Sequence, residues 1–354
     1  MQTIYCFVQH YKGRNPSQRY RLEQFEPYLN KLQLNYIYWL GKKTDKWFYS
    51  NNTPVIAKAI LVGALFLKRV WQVFMFPKGA TVLIQRESFP IFNVLFDKII
   101  RWRADKLIYD FDDAVWLTNK TSNTAKITFL KRTNNVAHTI SISDVVIAGN
   151  SYLANFAKNY ARGLIKLIPT TVDLNIYNKE LKTKNLPKGR IVIGWIGSFS
   201  TNKYLRIVDK SIKRLQELHP FELKVMSNEN PTFLKCNYEF IPWSGKVELA
   251  LLKQMDIGIM PLENNDWERG KCGLKLLLYL ASGIPSIASN VGVNKKILEG
   301  AGILVDESNT WEQSLTNLAF TGDAYARYSK NAISEAQNYS TEKWLSSFES
   351  SLVY

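Results

Sequence analysis

Three stretches of this 354-residue chain carry residue types suited to holding an anion or handling a proton. Trp267–Pro285 (WERGKCGLKLLLYLASGIP) places Arg269, Lys271 and Lys275 among Gly270 and Gly273, ahead of the apolar run Leu276–Ala281. It reads as a loop feeding a helix N-terminus, whose unpaired N–H groups and positive dipole end suit phosphate. Gly283 fits the residue after the helix and Pro285 prevents its continuation. The alternative is a buried amphipathic helix with two solvated lysines. Lys12–Arg21 (KGRNPSQRYR) opens a helix read from about Ser17 to Leu32, with Ser17 as N-cap. Arg19 and Arg21 in its first turn oppose the macrodipole, so they either hold an anion or are simply solvated. Asp110-Phe111-Asp112-Asp113 is a cluster of carboxylates leaving a strand.

Composition narrows the chemistry. Three cysteines without CxxC spacing fit neither a disulfide framework nor a zinc site, and three histidines exclude a histidine-rich metal centre. The net charge of +16 is unevenly spread: residues 1–175 hold 24 Lys+Arg against 11 Asp+Glu, and the remainder 22 against 19. A basic half draws anionic lipid or nucleic acid, but no recognised nucleic-acid motif accompanies it. Val55–Phe76 is long enough to span a bilayer, yet Lys58, Lys68, Arg69 and Gln72 interrupt it. It is expected to lie on a membrane surface or to pack half-buried with its cations snorkelling to water. No leader peptide is visible, because the chain opens on a strand-like run at Thr3–Val8.

The elements that position these residues alternate. Strands are expected at Thr3–Gln9, Asn35–Leu40, Thr81–Gln85, Lys106–Asp110, Val145–Ala148 and Leu164–Ile168. A second series runs Arg190–Trp195, Glu222–Ser227, Tyr238–Pro242, Ile257–Met260, Ser286–Ser289 and Gly302–Val305. Helical patterns fall between them, among them Phe92–Arg103, Asn150–Tyr160, Tyr204–Glu217 and Lys246–Lys253. Repeated strand–helix alternation predicts two parallel-sheet α/β domains. Ligands of such sheets bind outside the carboxyl ends of the strands. The loops His10–Arg21, Gln85–Glu87, Asp110–Asp113, Gly197–Lys203 and Met260–Lys275 all leave such ends, so one site is expected in a cleft between the domains.

Ile168-Pro169-Thr170-Thr171-Val172-Asp173 resembles the interdomain IPNGVD segment of the family 4 glycosyltransferases. Ile193-Gly194-Trp195-Ile196-Gly197-Ser198 resembles their donor-domain opening. Gly273-Leu274-Lys275 through Ala281-Ser282-Gly283-Ile284-Pro285 is similar to their GLPLLEAMASGxP run. The resemblance implies a GT-B fold, two Rossmann-like domains facing across a cleft, and a retaining, nucleotide-sugar-dependent transferase. It implies donor contacts from Gly197, Ser198, Lys203, Trp243, Arg269, Lys271, Gly273 and Lys275. Lys203 and Lys271 would meet the diphosphate, Gly197 and Ser198 would offer close backbone approach, and Trp243 would pack against the base. Asp112 and Asp113, with Lys203 and Lys271, are the expected catalytic residues, the aspartates orienting or deprotonating an acceptor hydroxyl. Lys12, Arg19, Arg21 and Arg86 would hold an acceptor phosphate. The Asp110-x-Asp112 pattern also resembles a metal-binding DxD, but it stands outside that motif's context; neither a metal nor a cofactor is expected. The chain departs from the family at the E-x7-E pair, which aligns on Gly270 and Leu278, and has Ser198 where an arginine is usual.

The sequence therefore predicts an acceptor-binding, membrane-facing domain over residues 1–172 and a donor domain over 173–335. A final helix over 336–354 should return to the first domain. The expected activity moves a sugar from UDP or GDP to a lipid-linked or glycan acceptor, by a peripheral protein on the cytoplasmic face of the plasma membrane. Its expected partners are the nucleotide sugar, that acceptor and an anionic membrane surface, not nucleic acid. Two other readings remain: transfer to a soluble glycan or protein, and a subunit that has lost catalysis along with both motif glutamates.

Overall fold

A computed structural model describes residues 1–50, 53–90, 93–117, 134–177, 190–320 and 324–353. The chain divides into two compact units, Met1–Thr170 with Trp344–Tyr354, and Thr171–Lys343.

In the first unit the chain runs β1 (Gln2–His10), α1 (Pro16–Arg21), β2 (Leu32–Leu40), α2 (Lys42–Phe48), α3 (Val55–Met75), β3 (Thr81–Gln85) and α4 (Asn93–Arg103). It continues through β4 (Lys106–Phe111), α5 (Asn134–Ile142), β5 (Val145–Ala148), α6 (Ser151–Lys158) and β6 (Leu164–Leu167). The six strands pair in parallel in the order β2-β1-β3-β4-β5-β6. Strands β3, β4 and β5 are buried along their whole length, which is why Val82–Ile84, Leu107–Tyr109 and Val145–Ala148 read as short apolar runs rather than alternating ones. Ile4, Val8, Leu83, Ile108 and Ile147 form one side of the core.

The second unit runs α7 (Leu174–Tyr177), β7 (Ile191–Ile196), α8 (Arg206–Leu218), β8 (Phe221–Ser227), β9 (Glu239–Pro242), α9 (Gly245–Gln254) and β10 (Ile257–Met260). Then follow α10 (Asp266–Arg269), α11 (Leu274–Ala281), β11 (Ser286–Ser289), α12 (Asn294–Ile297), β12 (Gly302–Val305), α13 (Trp311–Ala319), α14 (Tyr325–Ala336) and α15 (Thr341–Leu352). Its parallel sheet has the order β12-β11-β10-β7-β8-β9. Counted from its own first strand, that is the doubly wound dinucleotide-binding order. From Trp344 onward α15 belongs to the first unit, where Phe348 stacks on Phe25 with ring centroids 4.2 Å apart.

Three local expectations change. The helix read over Ser17–Leu32 is the six-residue α1 followed by a 3₁₀ turn at Glu23–Tyr28. Asn15, not Ser17, is the N-cap, and Pro16 takes the first helical position that suits it. Pro27, lacking an N–H, falls in the 3₁₀ turn. The loop expected over Gly197–Lys203 is mostly a 3₁₀ helix, Phe199–Leu205. Helix α4 is described over Asn93–Arg103, as expected, and Phe92 lies outside the described residues.

Helix α3 is oriented opposite to a snorkelling core helix. Leu65, Arg69 and Val73 form its buried face, whereas Ile56, Ile60, Leu67 and Trp71 are exposed. Two of its cations, Lys68 and Arg69, turn toward the sheet. Arg69 donates to the carbonyls of Ile37 (3.1 Å) and Val8 (3.3 Å) and lies over the Phe7 ring. Lys68 and Gln72 both donate to the Tyr38 carbonyl. Since β2 is the edge strand, these side chains satisfy carbonyls at the sheet margin.

Nearby, Asp97 of α4 is fully buried and accepts from the Thr139 hydroxyl at 2.5 Å. Burial outweighs that bond and the more distant Arg69, and pushes its pKa up to about 6. An acid whose pKa is raised on folding favours the protonated folded state, so its penalty grows as pH rises from about 4 through about 6. Asp97→Asn should therefore stabilise the fold by about 2–3 kcal/mol at neutral pH. Denaturant titrations should show that gain vanishing near pH 4; an equal gain at both pH values would contradict it.

Candidate functional site

The second unit's sheet reverses direction between β7 and β10, and a crevice at such a switch point is where doubly wound sheets bind ligands. Tyr279 of α11 closes the base of this crevice. Its hydroxyl accepts from the Ile196 N–H (3.2 Å) and donates to the Ile259 carbonyl (3.4 Å), tying β7 to β10. The segments leaving these two strands carry most of the donor-side candidates.

Lys203 sits in the 3₁₀ helix after β7, its side chain about 29% exposed, with Nζ 3.9 Å from Oε1 of the buried Glu268. Tyr204 donates its hydroxyl to the same oxygen. Glu268 was not foreseen, although it is the sole acidic residue of Trp267–Pro285. It lies in α10, two positions before the glycine that aligns with the family's first glutamate. Asn265 caps α10 by accepting from the N–H groups of Trp267 and Glu268. Lys271 follows directly, its N–H bonded to the Glu268 carbonyl and its Nζ 5.9 Å from the centre of the Trp267 ring. Lys275, in the first turn of α11, lies over the Trp195 indole at 5.2 Å. Both contacts fall in the cation–π range. The structure thus brings Lys203, Lys271 and Lys275 to segments leaving the carboxyl edge of one sheet, with Lys203 beside the buried Glu268 and the other two over tryptophan faces.

Gly273 begins α11 with φ at 70°, a conformation that disfavours any side chain. A Cβ there would also collide with Ile297. The remaining donor candidates are committed elsewhere. The Gly197 N–H donates to the Met226 carbonyl of β8 (2.9 Å) and the Ser198 N–H to the Thr201 hydroxyl (3.0 Å). Gly197 is a glycine for packing, because the Trp195 indole fills the space of a side chain. Arg269 binds back to Asp266 (3.1 Å) and Asn264 (3.0 Å). Trp243 follows β9 and donates its indole N–H to Glu248 at 2.8 Å.

The first unit has its own switch point, between β1 and β3. Arg86 leaves β3 there with φ at 60°, the sole positive value on a non-glycine among the described residues. Its N–H is tied to the Asp110 carbonyl (2.8 Å) and its carbonyl to the Tyr109 hydroxyl (2.8 Å). The guanidinium bonds Asp112 through Nε (2.6 Å) and Asp113 through Nη2. Strain at such a residue persists where its surroundings hold it, commonly at functional sites. Burial would raise the Asp112 pKa, but Arg86 beside it holds it below the usual carboxylate range. A carboxylate held down in this way stays charged and is a weak base, which favours orientation over proton abstraction.

The expectation for Arg21 is corrected. Helix α1 is so short that Arg19 and Arg21 occupy its last turn, where they complement the dipole rather than oppose it. Arg21 is buried, with Nε 3.2 Å from both Asp110 carboxylate oxygens and Nη1 2.6 Å from the Ile168 carbonyl. It is structural and closed to an acceptor phosphate. That pair also consumes Asp110, and Arg86 consumes Asp112, so the Asp110-x-Asp112 pattern is two ion pairs. Lys12 is exposed and paired with Glu26, while Arg19 stacks over the Tyr20 ring at 5.0 Å. A dyad not foreseen stands at the end of β1: His10 Nδ1 lies 2.6 Å from Asp45, which also accepts from Arg14 at 2.7 Å.

Removing the Arg86 side chain leaves two largely buried carboxylates facing each other. Arg86→Ala should lower stability by about 3 kcal/mol. Combining it with Asp112→Asn should recover part of that loss in urea titrations; no recovery would refute the pairing as its cause.

Residues 190–319 match the family model for glycosyl transferases group 1. A comparison with curated proteins by sequence finds no match. Among solved structures, a sucrose-phosphate synthase from Thermosynechococcus elongatus superposes with a TM-score of 0.70 at 13% identity, over 99% of this chain and 98% of that one. HepE of Anabaena in complex with UDP-glucose gives 0.65 at 15% identity, over 99% and 100%. A UDP-forming α,α-trehalose-phosphate synthase from Burkholderia xenovorans gives 0.64 at 11% identity, over 99% of both. At these identities the superpositions establish the fold, two parallel-sheet Rossmann-like units. Residues 190–319 are thus a group 1 glycosyl transferase domain, set in a chain whose fold is that of the GT-B glycosyltransferases.

Proposed function

We propose that this protein transfers a sugar from a UDP- or GDP-sugar, with retention of anomeric configuration, to a lipid-linked or glycan acceptor at the cytoplasmic face of a membrane. The observation that carries the reading is the set of Lys203, Lys271 and Lys275 at the β7–β10 switch point, inside the residues that match the glycosyl transferase family. A departing nucleoside diphosphate gains negative charge as the glycosidic bond breaks. Cations fixed in advance stabilise that charge without reorganising. Glu268 is the device that fixes Lys203, and the faces of Trp267 and Trp195 restrain the other two lysines. The structures of HepE with UDP-glucose and of a UDP-forming synthase support a uridine donor.

On the acceptor side, Arg86, Asp112 and Asp113 form a charged, partly exposed group at the first unit's switch point. In this reading they orient an acceptor hydroxyl or phosphate, and the leaving diphosphate takes the hydroxyl proton. The basic character of residues 1–175 supports an anionic, membrane-borne acceptor. A second reading, a non-catalytic subunit, is favoured by one observation: the positions aligned with the family's glutamate pair are Gly270 and Leu278, and Leu278 is buried core.

Turnover across a panel of UDP- and GDP-sugars separates these readings. Release of nucleoside diphosphate from at least one donor supports the enzyme; no release and no calorimetric nucleotide binding would leave the subunit reading. Lys203→Ala and Lys271→Ala should each lower turnover by roughly tenfold or more. Glu268→Gln should reduce nucleotide affinity by mispositioning Lys203, and wild-type affinity in that variant would sink its assigned role.

A further inference from the structure

The outer face of α3 has no partner in its own unit. Ile56, Ile60, Leu67, Trp71 and Met75 recur at four- and seven-residue spacing along one side of a 21-residue helix, between 58% and 76% exposed. A surface helix ordinarily turns such a stripe inward. Here the inward side holds Arg69 between Leu65 and Val73, with Lys68 and Gln72 at its margin, and the three polar side chains are hydrogen-bonded to carbonyls of Val8, Ile37, Tyr38 and Trp39. The polar side chains therefore hold the helix in one rotation, and that rotation presents the apolar stripe to the outside. Packing Phe66 on Phe96 at 5.2 Å between ring centroids joins α3 to α4. The apolar surface continues onto α4 through Leu95 and Trp102, which are 51% and 68% exposed. A groove of about 370 Å³ beside the stripe is lined by Tyr36, Tyr38, Trp71 and Met75.

We propose that the α3 stripe, with Leu95 and Trp102 of α4, docks on an anionic lipid surface and lies in its interface without crossing it. The proposal rests on the membrane-borne acceptor of the functional reading and names the surface that would reach it. Among the described residues no helix is long and apolar enough to cross a membrane, and a helix apolar on one outer face suits the interface plane. The charge around the stripe selects the partner. Helix α3 contains no Asp or Glu. Lys78 lies over the Trp102 ring at 5.8 Å, and Arg103, which donates to the Phe76 carbonyl at 2.7 Å, lies 5.9 Å from the Phe74 ring, so two cations stand at the aromatic end of the face. Aromatics paired with cations are typical of the headgroup level, where rings sit in the boundary and basic groups meet lipid phosphate. A second copy of the chain would bring the same cations and no carboxylate on α3 to meet them, so charge disfavours it as the occupant.

The test is flotation of the full chain with vesicles of phosphatidylcholine, with and without phosphatidylglycerol, at physiological salt. Wild type should float with the anionic vesicles and much less with the neutral ones. Leu67→Glu/Trp71→Glu should reduce bound protein by roughly tenfold or more. Both side chains are exposed, so that variant should keep the wild-type melting temperature and calorimetric UDP binding. Lys78→Glu/Arg103→Glu should weaken binding to anionic vesicles and make the remainder insensitive to phosphatidylglycerol. Wild type that stays unbound, or a Leu67→Glu/Trp71→Glu variant that floats unchanged, overturns the proposal. So does a wild-type dimer in light scattering that this variant converts to monomer, which would assign the face to a second copy. Loss of vesicle binding with donor turnover intact counts against the docking alone, whereas vesicle binding without nucleotide binding counts against the transferase reading alone.

Discussion

Parallel pairing is the constraint on which the rest of this structure depends. Strands that all run one way must end on one side, and the chain can reverse its direction of winding at a single point in each sheet. In the second unit that point lies between β7 and β10, and the Tyr279 hydroxyl ties the two strands together there. Every donor-side lysine follows from this geometry. Lys203 is carried by the segment leaving β7, while Lys271 and Lys275 are carried by the segment leaving β10. Helix α11, buried from Leu276 to Ala281, anchors the second of these segments, and the left-handed Gly273 sets the angle at which it enters.

Buried charge then determines which polar residues remain available to a ligand. An ion pair out of water holds its place because either partner alone is costly to bury. Arg21 and Asp110 form such a pair, and both leave the list of functional candidates for that reason. Arg86 with Asp112 and Asp113 is less enclosed, so the same kind of contact leaves a charged surface at a strand end. Glu268 shows a third outcome: a buried carboxylate shared between Tyr204 and Lys203, which orders a cation rather than neutralising it at close range. In this chain of GT-B fold, the positions aligned with the family's glutamate pair hold Gly270 and Leu278, while the carboxylate of Glu268 stands beside Lys203 from a neighbouring turn.

Much of the fold was legible because periodicity and punctuation agreed. The twelve strands of the described residues appear within a residue or two of their expected bounds, except where β2 starts earlier, since runs such as Val82–Ile84 and Val145–Ala148 are apolar throughout. The helix read over Ser17–Leu32 was too long although local residues mark its breaks: Pro16 opens the short α1 and Pro27 falls in the 3₁₀ turn after it. For α3 the sequence left two readings open, a membrane-surface helix or a half-buried one with its cations snorkelling to water, and in the structure carbonyls of β1 and β2 hold Lys68 and Arg69. A hydrogen bond to a strand margin leaves no mark in the helix's own spacing.

The sequence by itself determined that strands alternate with helices in two series, that the first half is strongly basic, and that glycines and cations accumulate at strand ends. These are properties of neighbours along the chain, and local propensity and charge encode them directly. Tertiary structure alone decided the strand order, and with it the two switch points at which Arg86 and Lys203 stand. It also decided the rotation of α3, the burial of Arg21 against Asp110, and the contact of Lys203 with Glu268, residues 65 positions apart in numbering. Such contacts depend on which strands pair and on what each buried charge finds opposite it, and no stretch of sequence contains both partners.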